Sequence, residues 1–271
     1  MTALTFTLRD PQPQPIDLSA LTPDHLANKI SAEIAAMELP CGNRKVRLGE
    51  LFGTSGTDSS QIVIQNHAGK LDRIGQRMSS GSITLDGDAG AYLGLGMRGG
   101  SIEVTGSAGA FAACEMRNGR IHVRGDCGDF LGAALPGDRL GMRGGAVLVE
   151  GRAGDRVADQ MRRGLILIRG GAGDYCAARM RAGTVIVLQG VGTAPGFGMH
   201  RGTLLLDQRP SLAATFNDCG AHALPFLRLL QKALAKEGPA YADFVPSIRV
   251  RRFAGDMAAG GRGEILVYER E

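Results

Sequence analysis

Tryptophan is absent and aromatic residues make up only 5% of the 271-residue chain, so any core must come from Ile, Val, Leu, Met and Ala. Cysteine is scarce: Cys41, Cys114, Cys127, Cys176 and Cys219 are odd in number and contain no CxxC pair. That pattern excludes a disulfide framework or an iron–sulfur site and predicts reduced thiols in the cytoplasm. A basic start followed by a long apolar run is also missing, so neither a signal peptide nor a membrane span is expected. Lysine is rare, at five of 31 basic residues, and the net charge of +4 is too small to argue for nucleic acid. Chemistry-bearing motifs are lacking as well. His25, His67, His122, His200 and His222 have no metal-ligand spacing. The carboxylates Asp86, Glu103, Glu150 and Asp207 are scattered where a polysaccharide-cleaving enzyme needs facing pairs, and aromatic sugar platforms are nearly absent. No nucleophile elbow, P-loop or strand–GxGxxG–helix context occurs. No catalytic residue and no metal ligand is assigned.

Glycine, in contrast, is abundant at 41 residues, about twice the usual share of roughly 7%. The excess belongs to one phrase, M-R-x-G-x-I-x-V-x-G-x-A-G plus six freer residues. The phrase opens at Met78, Met97, Met116, Met142, Met161, Met180 and Met199, with spacings of 19, 19, 26, 19, 19 and 19 residues. A degenerate first copy near Thr57 carries Ile62, Ile64 and Ala68-Gly69 in phase. A fixed period near 20 residues defines a solenoid, in which stacked neighbours complete each other's core. Each unit holds one alternating five-residue segment, such as Ser82–Asp86, and no helical periodicity. The predicted fold is therefore all-β, a parallel β-helix of about seven to eight coils. Glycines such as Gly81, Gly87 and Gly90 would turn its corners, and the methionines would stack inward as unbranched filler.

Three parts are expected: 1–56 as strand, Pro-rich segment and helical cap; 57–207 as the repeats; 208–271 as a C-terminal helix and strand tail. In the first, Leu4–Leu8 reads as a strand and Pro11–Pro15 as extended chain. Thr22-Pro23-Asp24 starts a helix, or two broken near Ser31, with Leu26, Ile30, Ile34 and Met37 on one face to about Leu39. Val46–Phe52 then reads as a first, incomplete repeat strand. The seven extra residues within Gly132–Gly141 predict a loop protruding from one corner. Outward strand positions are polar in the early units (Thr84, Glu103, His122) and apolar in the later ones (Leu148, Leu167, Ile186, Leu205). Something must cover the later units, either a helix at Ala223–Glu237 carrying Leu224, Leu227, Leu230 and Leu234, or a partner. Ser247–Phe253 and Glu264–Tyr268 read as strands.

Arginine follows the methionine in five units: Arg98, Arg117, Arg143, Arg162 and Arg181; Ser79 and His200 hold the position at the two ends. Stacked one unit apart, these arginines form a stripe for a polyanion or an acidic partner. The alternative is an exposed row paired with corner aspartates such as Asp155 and Asp174.

The glycine-spaced units, the Val46–Phe52 lead-in and the ending Arg252-Phe253-Ala254-Gly255-Asp256 … Gly261-Arg262-Gly263-Glu264-Ile265-Leu266 resemble the C subunit of formylmethanofuran dehydrogenases. That protein is itself similar to the glycine-repeat domain of the glutamate synthase large subunit. The arginine-rich, lysine-poor composition leans toward the C subunit of the bacterial formyltransferase/hydrolase complex. The resemblance implies a right-handed β-helix and a non-catalytic structural subunit. Its complex would move a formyl group from formyl-tetrahydromethanopterin to a methanofuran-type carrier and hydrolyse it to formate, in one-carbon metabolism and formaldehyde oxidation. The implied partners are an amidohydrolase-like A subunit, a B subunit and a formyltransferase D subunit. Carrier, pterin and zinc would sit on them, and none directly on this chain. The alternatives are the C subunit of an archaeal-type molybdenum or tungsten formylmethanofuran dehydrogenase, or a stand-alone glutamate-synthase-like or carbohydrate-active β-helix.

Overall fold

The computed structural model describes residues 2–66, 70–238, 241, 244, 245 and 247–269. Its elements are β1 (Ala3–Leu8), β2 (Ile16–Asp17), α1 (Pro23–Leu26), α2 (Ser31–Ala36), β3 (Glu38–Cys41), β4 (Arg44–Arg47), α3 (Leu48–Leu51) and β5 (Phe52–Ser55). The repeats contribute β6 (Asp58–Gln65), β7 (Leu71–Asp72), β8 (Ser82–Asp86), β9 (Ser101–Val104), β10 (Arg120–Val123), β11 (Arg143–Val149), β12 (Arg163–Ile168), β13 (Thr184–Val187) and β14 (Arg201–Leu206). After them come β15 (Asn217–Ala223), α4 (Phe226–Glu237), β16 (Arg249–Gly255), a 3-10 turn at Met257–Ala259 and β17 (Arg262–Tyr268). The architecture is all-β with short helices.

Thirteen strands form one sheet in the order β15-β16-β17-β14-β13-β12-β11-β10-β9-β8-β6-β1-β5. From β1 through β17 the neighbours run parallel; β5 at one end and β16 and β15 at the other run antiparallel. Register follows the repeat, so Ile83 pairs with Ile102, Ile102 with Ile121 and Ile121 with Val147. Apolar columns of like residues result, and a one-residue slip would turn them to solvent. A second ladder of single parallel bridges runs Ala89, Ala108, Cys127, Ala153, Ala172, Val191. Between the ladders lie the columns Ile/Val/Leu at 62/64, 83/85, 102/104, 121/123, 147/149, 166/168, 185/187 and 204/206, all nearly inaccessible.

The methionines at 78, 97, 116, 142, 161, 180 and 199 point into this core and are fully buried. For the first six, the terminal methyl lies where a Cβ on a glycine of the next repeat would project, and Met199 meets Gly263 of β17 through its Cγ and Sδ. That imaginary Cβ would sit 2.8 Å from the Met142 methyl at Gly164 and 2.8 Å from the Met161 methyl at Gly183. Both glycines have φ of +109°, unfavourable for any other residue. Methionine and glycine therefore recur together because one fills the space that the other leaves. The three cysteines at 114, 127 and 176 are buried, free thiols. Burial pushes Cys127 and Cys176 up to about 12.

The N-terminal segment departs from expectation in three places. Leu26 and Ile34 are buried and the chain forms two helices broken before Ser31, as one of the two expected arrangements has it, but Ile30 caps α2 at 66% exposure instead of sharing their face. Leu39 belongs to β3, which pairs with β4 across the Gly42-Asn43 turn, so no helix reaches it. Val46–Phe52 is no repeat strand. Leu48–Leu51 forms a helical turn that buries Leu48 and Leu51, and β5 then pairs antiparallel with β1. The lead-in lacks the alternation that would hold it in the parallel ladder. The degenerate first repeat supplies β6 with Ile62 and Ile64 buried, whereas Ala68-Gly69 and His67 lie outside the described residues.

At the far end α4 starts later than expected, because Asn217–Ala223 is drawn into β15 against β16. Leu227 and Leu234 are buried against Leu148, Leu167, Ile186 and Leu205, with Leu224 and Leu230 packed beside them. Phe244, Val245, Val250 and Leu266 complete this second core. The buried Tyr268 hydroxyl donates to the Phe244 carbonyl at 2.9 Å, which satisfies it. The apolar outer face of the later units is thus covered by the chain's own C-terminal segment.

Candidate functional site

Each arginine of the stripe is set by a backbone bond to the methionine one repeat earlier. The amides of Arg98, Arg117, Arg143, Arg162 and Arg181 donate to the carbonyls of Met78, Met97, Met116, Met142 and Met161 at 2.6–2.8 Å. The row therefore stands in register along the body. Arg98, Arg117, Arg162 and Arg181 are exposed, while Arg143 is half-buried with its Nη2 3.9 Å from Glu115 Oε2. One end of the row is closed by Asp24 of α1, which accepts from the Ser79 amide (2.6 Å) and from the hydroxyls of Ser79 and Ser80.

The corner aspartates do not neutralise this row. They bridge repeats instead, with Oδ1 accepting a backbone N–H one repeat on: Asp88 from Ser107, Asp126 from Arg152, Asp129 from Asp155, Asp155 from Asp174, Asp174 from Thr193, all at 2.7–2.8 Å. Among the described residues none of these aspartates forms an ion pair with an arginine of the row. The outward carboxylates are also occupied. Glu103 takes Arg124 at 2.6 Å, and Glu150 takes His122 at 2.9 Å and Arg169 at 3.2 Å.

The insertion lines a pocket of about 590 Å³ with Phe130, Ala134–Arg139, Arg156, Asp159, Gln160, Arg179 and Arg181. On its floor Asp159 is buried at 3% exposure and paired with Arg179 and Arg156. Beside it, burial raises the titration of the Glu115 carboxyl above the ordinary range. Its hydrogen bond to Asp138 and the charge there add to the shift, while Arg143 and Arg117 oppose it. A carboxyl group of the loop, Asp138, thus meets a carboxyl group of the preceding repeat, Glu115. Apart from Arg117, Arg143 and Arg181 of the stripe, these groups do not show in the repeat pattern, because they fall in the six freer residues or the insertion.

The few aromatic residues form a grouping that the sequence reading missed. Tyr92, Phe111 and Phe130 stack one repeat apart, with ring centres 5.2 and 4.8 Å apart and planes within 12°. Arg73 lies over Tyr92 and Arg156 over Tyr175, which meets Phe197 edge-on. The three stacked rings cover a small cluster of Leu95, Cys114 and Ala133. The common phase of residues 92, 111 and 130 was the available signal. Among the described residues no three His, Cys, Asp or Glu side chains are grouped to hold a metal ion. No helix among them is long and apolar enough to cross a membrane.

A register-locked sheet of 19-residue returns with glycines at its corners defines a repeat-built protein of parallel strands. The sequence profile of the GXGXG motif matches residues 28–221, more than half of the chain. The chain belongs to that family, and within it to the type of the formylmethanofuran dehydrogenase C subunit, as three relatives show. The structure superimposes on a chain of the formyltransferase/hydrolase complex from Methylorubrum extorquens, solved in complex with methylofuran. The TM-score is 0.93 and the identity 38%, over 98% of this chain and 100% of that one. The C subunit of the formyltransferase/hydrolase complex of Methylorubrum extorquens is 40% identical over 89 residues, 33% of this chain and 34% of that one. The C subunit of a tungsten-containing formylmethanofuran dehydrogenase from Methanococcus maripaludis is 31% identical over 97 residues, 35% of this chain and 36% of that one. The sequence matches thus span about a third of these curated relatives.

Proposed function

We propose that this chain is the C subunit, a non-catalytic structural component, of a formyltransferase/hydrolase complex in bacterial one-carbon metabolism. The observation that carries the reading is the near-complete superposition on a chain of such a complex. In this reading the partners are an amidohydrolase-like A subunit, a B subunit and a formyltransferase D subunit in the cytoplasm. They move formyl from formyl-tetrahydromethanopterin to a methanofuran-type carrier and hydrolyse it, with zinc, pterin and carrier held on the partners. The chain would be a right-handed parallel β-helix of seven to eight coils over 57–207. Residues 1–56 would close one end, and 208–271 would form the tail. The parallel ladders and the repeat spacing support the coil reading. The arginine stripe Arg98, Arg117, Arg143, Arg162 and Arg181 would face an acidic partner or carrier, because the corner aspartates are committed to backbone amides. The 31% identity to an archaeal C subunit favours a second reading, the same role in a molybdenum or tungsten dehydrogenase.

The test is gentle purification of the tagged chain from its host, followed by mass spectrometry, for the natural sequence and for Arg117→Ser/Arg143→Ser. The natural chain should bring down an amidohydrolase-like protein and a formyltransferase, and the variant should hold them more weakly while folding normally. Co-purifying molybdenum or tungsten and iron–sulfur proteins would shift the assignment to the dehydrogenase. A chain recovered alone sinks the scaffold role, and undiminished capture by the variant retires the stripe.

A further inference from the structure

Several arginines of the repeats and the tail are matched by carboxylates: Arg124 by Glu103, Arg169 by Glu150, Arg179 by Asp159, Arg251 by Asp218, Arg252 by Glu264. One cleft breaks that rule. It has a volume of about 370 Å³ and lies where the last repeat meets the C-terminal strand, lined by Arg181, His200, Arg201, Arg262 and the backbone of Ala259 and Gly260. No carboxylate lines it. The nearest in sequence, Glu264, accepts from Thr203 through Oε1 and from Arg252 through Oε2, so both its oxygens are taken.

The arrangement is built into the sheet. Arg201 of β14 and Arg262 of β17 are direct partners in the parallel register, so their side chains leave the same face of adjacent strands. Like charges placed opposite each other across a sheet destabilise it. Arg181 arrives from one repeat earlier, where its amide is bonded to Met161, and His200 stands over it, bonded to Met180. The Nδ1 of His200 lies 3.1 Å from the Ala259 carbonyl. A carbonyl only accepts, so Nδ1 carries the proton and the ring is fixed against the turn that forms one wall. Among the described residues, Arg181, Arg201 and Arg262 form no ion pair.

We propose that this cleft binds a phosphate dianion, either free or as the terminal group of a phosphorylated small molecule. A single carboxylate brings one charge and two oxygens and would leave part of the arginine cluster unmatched. A phosphate group brings about −1.5 to −2 charges and three strong acceptor oxygens, enough for three guanidinium groups at once. Arginine suits the task because its planar fork matches the phosphate edge. Arg181 also ends the stripe of the proposed function, but this inference rests on the charge balance of one cleft, and its test on Arg201 and Arg262 leaves the stripe intact.

The experiment titrates the full chain with inorganic phosphate, with glycerol phosphate as a monoester, and with acetate and chloride at matched ionic strength. Binding heat and the unfolding midpoint are followed. Phosphate should bind saturably and raise the midpoint, acetate and chloride should not, and Arg201→Gln/Arg262→Gln should weaken binding by roughly tenfold or more. Without phosphate the same double variant should be no less stable than the natural chain, because it loses a like-charge pair. Tighter binding of the monoester assigns the site to a phosphorylated molecule, and equal or weaker binding assigns it to free phosphate. A response to acetate or chloride equal to that of phosphate overturns the proposal, as does phosphate binding unchanged by the substitutions. Should the double variant fail to fold, Arg181→Gln, exposed and outside every strand, takes its place with the same expected loss.

Discussion

At the residue scale the repeat is legible wherever a side chain enters the core, and opaque where it does not. Methionine and the alternating Ile/Val positions recur because each must fit the unit before and after it. The six freer residues show no such constraint in sequence, yet their backbone is tightly specified. Tyr92, Phe111, Phe130, Arg156 and Tyr175 hold one phase with φ of 56–63°. A positive φ costs a non-glycine residue about 1–2 kcal/mol. It is kept because amides there bond to both neighbouring repeats, as Tyr92 does to Ala110 (2.9 Å) and Gly94 to Ile74 (2.8 Å). Four of the five are aromatic, so this phase leaves a trace in the sequence, but one outside the methionine and Ile/Val columns of the main core. The glycine opposite a methionine is different, for it has no tolerance. Gly183→Ala adds a Cβ 2.8 Å from the Met161 methyl and 3.2 Å from the Gly164 carbonyl oxygen, at a φ of +109°. Positive-φ strain of about 1–2 kcal/mol and overpacking of about 1–3 kcal/mol should together lower stability by roughly 2–5 kcal/mol in urea unfolding. Pairing it with Met161→Ala should recover the overpacking share only. A loss below about 0.5 kcal/mol, the ordinary range for surface changes, would show that the methyl does not pin this glycine.

At the element scale the insertion is where sequence reading stopped short. Its length announces a loop, but nothing in Gly132–Gly141 reveals that Asp138 meets Glu115 of the preceding repeat or that Gln160 holds the Asp138 carbonyl at 3.2 Å. Such contacts join positions outside the 19-residue phase. The helix α4 was readable because its leucines keep a helical spacing, whereas β15 was missed because Asn217–Ala223 has no alternation and is mostly exposed. The Glu115–Asp138 contact carries a pH dependence. The Glu115 carboxyl is raised in the folded chain, first by burial and then by Asp138. Its contribution is therefore fully present below the ordinary carboxylate range and is lost as pH rises through the raised value. Unfolding followed from mildly acidic to mildly alkaline buffer should show this decline in the natural chain. Glu115→Gln, which cannot ionise and still donates a hydrogen bond to Asp138, should flatten it. An identical slope in both proteins would remove Glu115 as its source.

At the scale of the whole molecule, both ends of the chain return to one sheet, β1 beside β6 and β17 beside β14. A stack of repeats always leaves an unpaired edge and, here, an apolar outer face. The C-terminal segment manages both. β17 and β16 continue the ladder from β14, and α4 with Phe244 and Val245 seals Leu148, Leu167, Ile186 and Leu205, each fully buried. Four such side chains represent about 1.5–3 kcal/mol apiece relative to exposure, so they cannot be left open without consequence. The change from polar to apolar outward residues midway along the repeats was the sequence's sign of this cover, and the structure puts it on the same chain. A chain ended after Asp207 should keep its methionine core but present a bare strand edge beside an apolar face. Such surfaces promote edge-to-edge pairing. Light scattering should find it as dimers or larger species that bind a hydrophobic dye, and the full chain at equal concentration should do neither. A truncated chain that stays monomeric and silent to the dye would mean that the later repeats do not need their cover.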